Sequence, residues 1–409
     1  MRVVVYEPDA TGHHLAYVSR VVEPLASLAS ELILLTSQWA ADSPQFAQHL
    51  GRFSTHLTVD TGIGDPARRL AIRPLMRQFA SLRRAVKRLC PDHLYVAYGD
   101  DFVEMAALHE MAGHCWPDAT EAEVLLLRGG YQYPTSSLAT RMRRRISPWL
   151  LRRGPWSLIH HINPDDLEVI RGNNAGTTGR FFLMPDPVEP ASQLSKEEAR
   201  QVLNLPEDGR YIGSVGIINR AKGVDRLISA FRAARADLQS GDRLLLAGPI
   251  DEELRSFISS GCGDDLANGR LIMIDRSLSS DEIATAVAAT DIVATPYPWH
   301  VHSSSIVIRA AAGGRPVVGN SIGWMKRTIP QFELGAVCDV VNEEALCRTL
   351  VKTLDESGGY QITSAARRFA EFHSAENFAR HWTKRLRQRI GLPEDPALIS
   401  WDEVVGGGR

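Results

Sequence analysis

A chain of 409 residues exceeds one ordinary hydrophobic core and predicts two domains of roughly 150–200 residues each. Its 44% apolar and 23% charged residues are those of a water-exposed globular protein, and a net charge of −2 gives no general attraction for polyanions. The five cysteines (Cys90, Cys115, Cys262, Cys338, Cys347) form no C-x-x-C pair, which argues for a reducing compartment and against a metal cluster.

Met1-Arg2 leads directly into Val3–Tyr6, which reads as a strand, so no secretory leader is expected and the expectation is a cytoplasmic protein. No apolar run approaches the roughly 18 residues that a membrane span needs. After the first strand comes EPDATGHH, with Gly12 at the turn and helical periodicity from about Leu15 to Leu28. Strand, glycine turn and helix in that order open a doubly wound α/β domain, with His13 and His14 near the helix start.

Glu31–Thr36 predicts the second strand. Residues 66–90 form a basic helical segment with eight basic residues and no acid, interrupted at Pro74. Asp92–Tyr98 predicts a strand that delivers Gly99-Asp100-Asp101 to its C-terminal edge, and Glu123–Leu127 another that delivers Arg128. Residues 138–153 hold six arginines among Leu, Ile and Trp, again with no acid. The two Arg-rich segments, Arg68–Arg88 and Arg141–Arg153, read equally as solvated faces or as a peripheral contact with an anionic inner membrane face. No nucleic-acid motif accompanies them, so nucleic acid is not an expected partner.

Ser157–His161 and Phe181–Met184 complete about six strands in the first half, and the Pro-rich stretch after Pro187 marks the domain boundary. The alternation then repeats. Strands are expected at Tyr211–Gly216, Leu244–Ala247, Leu271–Ile274, Asp291–Thr295, Pro316–Val318 and Ala336–Asp339. Residues 365–390 predict one long amphipathic helix, and 392–409 an irregular tail. The fold class is therefore α/β, with two doubly wound Rossmann-like domains facing a cleft: 1–190 on the acceptor side, 191–364 on the donor side, and 365–391 a helix packing back toward the first.

Three loops at strand C-terminal ends of the second domain carry the candidate chemistry. The first holds Gly216, Asn219, Arg220 and Lys222; the second holds Gly248; the third runs from Trp299 into Ser303, Ser304 and Ser305. Cations together with a helix N-terminus match a diphosphate, and Arg309 follows one helical turn on. Asp275, after its strand, is expected to approach a nucleotide base.

These stretches also carry a resemblance. NRAKGVDRLISAF, LLLAGP, DEIATAVAATDIVATPY and RAAAGGRPVVGNSIGW together resemble the C-terminal domain of GT-B glycosyltransferases of the retaining family 4 group. VVVYEPDATGHHLAYV is similar to the N-terminal glycine loop of that fold, and FFLMPDPVEP to the segment before the interdomain linker. The resemblance implies a nucleotide-sugar donor, UDP- or GDP-linked, a glycan, lipid or small-molecule acceptor, and no cofactor or metal. It implies phosphate roles for Arg220, Lys222, Arg309 and the serines, with Gly12 and His13 near the donor phosphate. Two departures stand out. Val301 and Arg309 occupy the positions of a glutamate pair, and His302-Ser303-Ser304 replaces a Gly-Phe-Gly. Arginine cannot accept a hydrogen bond, so the resemblance leaves two readings open: a variant transferase, or a non-catalytic GT-B protein that binds a nucleotide, a glycan or a partner.

Overall fold

The computed structural model describes residues 1–12, 14–66, 72–127, 137–172 and 179–406. It divides into two compact units, Met1–Pro185 with Glu376–Leu398, and Asp186–Ala375 with Ile399–Arg409.

The first unit is built on a seven-stranded parallel sheet. Its strands are β1 (Arg2–Tyr6), β2 (Glu31–Ser37), β3 (Thr58–Ile63), β4 (His93–Val96), β5 (Glu121–Leu126), β6 (Leu158–His161) and β7 (Phe181–Leu183), in the order β3-β2-β1-β4-β5-β6-β7. Central strands read as unbroken apolar runs because helices cover both faces: Val3, Val4 and Tyr6 are wholly buried. The sequence reading lacked β3. It is an edge strand of mixed, largely exposed residues (TVDTGI), so neither an apolar run nor clean alternation marks it.

The second unit holds β8 (Tyr211–Val215), β9 (Arg243–Ala247), β10 (Leu271–Ile274), β11 (Ile292–Thr295), β12 (Val317–Asn320) and β13 (Gly335–Cys338), in the order β10-β9-β8-β11-β12-β13. All pairings among these thirteen strands are parallel. Both sheets are doubly wound and Rossmann-like, as expected. Each reverses its strand order once beside its first strand, between β1 and β4 and between β8 and β11. Open α/β sheets bind ligands outside the carboxyl ends of strands at such reversals.

Three helical expectations need correction. The helix Ile72–Leu89 runs through Pro74, which sits in its first turn where no backbone N–H partner is lost. The expected 365–390 helix is two helices, Ser364–Phe372 and Ala375–Arg389. They part at His373-Ser374, where the chain makes a bridge with Val188. The expected irregular tail contains a helix, Trp401–Gly406, and Trp401 packs on Phe332 and Phe372 at 5.6 and 5.1 Å between ring centroids.

Candidate active site

In the second unit, the loops after β8 and β11 meet at the strand reversal. The β8 loop turns at Asn219, whose Oδ1 accepts the Lys222 N–H at 2.9 Å and caps the short turn Arg220–Lys222. Gly223 follows with φ +68°, and a Cβ there would lie 2.1 Å from the Pro296 carbonyl oxygen. Only glycine lets the two loops touch. The same holds for Gly248, where a Cβ would lie 1.8 Å from the Gly216 carbonyl oxygen. Gly248 thus has a packing reason to be glycine and Gly216, at φ +100°, a backbone one, both independent of any ligand.

Loop contact brings Lys222 Nζ to 4.1 Å from the centre of the Tyr297 ring. Burial lowers the Lys222 pKa from its ordinary value. Tyr297 is buried, and burial pushes its hydroxyl up to about 12 despite a hydrogen bond with Ser304. The Asn320 amide, at the end of β12, donates to the Tyr297 and Pro298 carbonyls at 2.8 and 3.2 Å and fixes the loop from below. Ser304 is the N-cap of helix Ser305–Ala312, and no side chain caps that helix start. Its first N–H groups and positive dipole end therefore belong to the same surface as Lys222 and Ser304.

Ser303 has a different job from the one the sequence suggests. It is buried, and its Oγ donates to Asp186 Oδ2 at 2.8 Å. The Asp186 backbone N–H in turn donates to His373 Nδ1 at 2.9 Å. Ser303 is thus tied to the two segments, around 186 and 373, that link this unit to the other. His300 Nε2 lies 2.8 Å from the Ser303 carbonyl. Burial, helped by the Lys222 and His302 charges, takes His300 down to about 4, so near neutrality it donates to that carbonyl as a neutral imidazole. Burial likewise takes His373 down to about 4, leaving its Nδ1 a lone-pair acceptor for Asp186.

The remaining candidates do not join this group. Arg220 is half-exposed and paired with Glu253 at 2.8 Å. Arg309 reaches the Ser280 carbonyl at 3.5 Å and lines a hollow with Glu189, Ser192 and Arg315, so these contacts do not serve the phosphate role given to it. Both Asp275 oxygens are committed within the unit, one accepting the Ile250 N–H at 2.9 Å and the other Arg255 at 2.8 Å, so it braces two loops rather than reaching for a base. Those bonds hold its pKa below the usual carboxylate range.

In the first unit, a cavity of about 560 Å³ opens at the reversal between β1 and β4. Glu7, Asp9, Thr11, His14, Trp39, Tyr98 and Asp101 line it, with Asp65 and Gln78. Glu7 is buried and lies 2.9 Å from His14 Nδ1, and burial raises its pKa against that partner. The His14 ring lies against Tyr98 at 4.6 Å. Gly12 takes φ +58° at the turn beside this cavity, while His13 and Arg128 lie outside the described residues. Asp100 faces inward: it is buried and accepts the Leu127 N–H, so Asp101 is the carboxylate that meets the cavity.

Residues 195–377 match the family model "Glycosyl transferases group 1". Over these residues the chain is similar to the group 1 glycosyltransferases. The match spans the β8 and β11 loops together with Lys222, Ser304 and His373. Among curated relatives, a D-inositol 3-phosphate glycosyltransferase of Corynebacterium urealyticum is 26% identical over 212 residues, 50% of this chain and 49% of its own. Its counterpart in Thermobispora bispora is 26% identical over 243 residues, 56% of this chain and 53% of its own. The chain thus spans about half the length of the curated relatives it matches. Solved structures share the fold over 95% of the chain. Sucrose-phosphate synthase of Thermosynechococcus elongatus aligns with a TM-score of 0.70 at 16% identity over 99% of its length. The Anabaena protein HepE in complex with UDP aligns at 0.67 and 15% identity over 100% of its length. Tyr297, His300, Asp186 and His373, which sit in the Pro-flanked loop and the two linking segments, were not among the candidates read from the sequence.

Proposed function

We propose that this chain transfers a sugar from a uridine diphosphate-linked donor to an acceptor hydroxyl, with the diphosphate held by Lys222 and the start of helix Ser305–Ala312. The observation that carries this is the convergence of a desolvated lysine and an uncapped helix start at the strand reversal of the second sheet. UDP is preferred over GDP because HepE, which has this fold, is described with UDP.

In the reaction, the acceptor oxygen bonds to the anomeric carbon as the bond from that carbon to the diphosphate oxygen breaks. The electron pair leaves on the diphosphate, and the acceptor proton passes to that same oxygen. Attack from the face that the leaving group vacates retains configuration. The protein's task is then electrostatic: Lys222 and the helix N–H groups stabilise the departing charge, and no metal is required. Arg220 can add to this by exchanging Glu253 for phosphate. Turnover is tested by UDP release from UDP-sugars across an acceptor panel. Lys222→Ala should lower kcat/KM by about 10²–10³-fold, the range for removing one such stabilising contact. Unchanged turnover in that variant, or UDP binding with no transfer to any acceptor, would sink the reading.

A separate observation favours contact with an anionic membrane face. On helix Leu138–Leu151, Leu138, Met142, Ile146 and Trp149 are 65%, 54%, 46% and 40% exposed, and their spacing puts them on one stripe. Arg141, Arg144, Arg145 and Arg153 flank it, Arg153 lying 4.2 Å over the Trp149 ring. The other basic segment is partly used internally, through Arg88–Asp60 and the Arg83–Cys115 carbonyl bond. Among the described residues, no helix is long and apolar enough to cross a membrane, so the contact would be peripheral. Vesicles containing phosphatidylglycerol should sediment the protein at low salt and release it at high salt. Equal sedimentation of Trp149→Glu, or none of the wild type, would remove this contact.

A further inference from the structure

The chain passes between the two units three times, after Pro185, after Ala375 and after Leu398. Each passage has a residue at one imidazole of the second unit, that of His373. Its Nδ1 accepts the Asp186 N–H at 2.9 Å, and its carbonyl accepts the Val188 N–H at 3.0 Å, which fastens the first passage to the second. Just beyond the third passage, the Trp401 ring lies 6.4 Å from the His373 ring, alongside its contacts with Phe332 and Phe372.

Trp401 opens the helix Trp401–Gly406, and Val404, buried, is its second apolar anchor. Ser400 and Glu403 cap it reciprocally: the Ser400 N–H donates to Glu403 Oε2 at 3.1 Å and the Glu403 N–H to Ser400 Oγ at 3.4 Å. Upstream, Lys384–Glu394 at 2.6 Å and Arg380–Asp395 at 3.5 Å hold the chain against helix Ala375–Arg389. Residues 396–400 join these two sets of contacts, so the tail is a short strap fastened at both ends. Helices below about 12–15 residues are marginal alone in water, so this one forms by docking.

The docking surface leads to the donor loop, because Asp186 also accepts the Ser303 hydroxyl at 2.8 Å. Resting on the donor reading, we propose that the tail helix is a clip that sets donor affinity. Docked beside His373, it holds Asp186, and through Asp186 the loop that carries Ser304, in the arrangement that binds UDP. Linkage makes the effect reciprocal: bound UDP holds the clip as strongly as the clip holds UDP.

Hydrogen exchange and calorimetry on the full chain test this. In the wild type, saturating UDP should slow exchange of the 402–406 amides by about 5–10-fold, and Trp401→Ala should weaken UDP binding by a similar factor. In the UDP-free protein, Trp401→Ala should speed exchange of the Asp186 and Val188 N–H groups and leave β8 and β11 unchanged, while Trp401→Phe should restore most of the protection. That arm needs no ligand, and the wild-type UDP titration reports on the donor reading by itself. Unchanged exchange at Asp186 and Val188 in Trp401→Ala would overturn the clip whether or not UDP binds. Bound UDP that leaves the 402–406 amides unaffected, or wild-type UDP affinity in Trp401→Ala, would overturn its hold on the donor and leave the donor reading standing.

Discussion

Replacing Ser303 separates two accounts of the donor loop. If its hydroxyl met phosphate directly, Ser303→Ala and Asp186→Asn would weaken UDP binding independently. In the structure the hydroxyl donates to Asp186 at 2.8 Å, and both residues are buried. A hydroxyl–carboxylate bond of this kind contributes roughly 1.5–3 kcal/mol, and removing one partner leaves the other without it. Ser303→Ala should therefore loosen the loop that carries Ser304 and cost about 1.5–2 kcal/mol of UDP affinity, a factor of roughly 10–30. Asp186→Asn should cost a similar amount, and the double variant little more than either single one. A double-mutant cycle read by calorimetric UDP titration should thus return a coupling of about 1.5 kcal/mol. Additive losses would refute the loop-bracing argument and restore Ser303 to the phosphate.

Three further outcomes follow from the same geometry. Gly223→Ala places a Cβ 2.1 Å from the Pro296 oxygen at φ +68°. The left-handed backbone alone costs roughly 1–2 kcal/mol, so the apparent Tm should fall by several degrees and UDP affinity with it; an unchanged Tm would contradict the loop contact. His373, buried and held down to about 4, is neutral in the fold and protonates first in the unfolded chain, whose imidazoles titrate near 6.5. Its contribution is whole above about pH 6.5 and is lost as pH falls toward 4, by about 3 kcal/mol at most. The decline of apparent Tm from pH 7 to 5 should flatten in His373→Gln, and an identical decline would show that another group is responsible. Turnover should survive EDTA within about twofold, since Lys222 and helix N–H groups are proposed to carry the charge; loss restored by a divalent ion would contradict that.

Much of the architecture was legible because parallel strands buried on both faces must be apolar throughout. All six strands of the second sheet and six of the first carry an apolar run, including the partly exposed edges β10 and β13, and β3, with TVDTGI, does not. The break at His373-Ser374 was illegible because helical periodicity continues across it. The bridge to Val188 and the bond to Asp186, 187 positions away, hold the chain open there. At the donor site, Lys222 was readable from its place after a strand and before a helix. Asp275, Arg220 and Arg309 looked equally suitable, but each has a carboxylate, an arginine or a carbonyl partner elsewhere in the chain, and sequence spacing does not encode such pairings. Of the cavity acids only Asp101 was marked in the sequence, since Glu7 and Asp65 join it through the order of strands in space.

The central claim is the seat of the donor diphosphate. A crystal structure of the full chain soaked with UDP tests it most directly. The diphosphate should lie within hydrogen-bond distance of Lys222 Nζ and of the N–H groups that open helix Ser305–Ala312. Density for UDP that touches neither, or its placement in the acidic cavity lined by Asp9 and Asp65, would contradict the account.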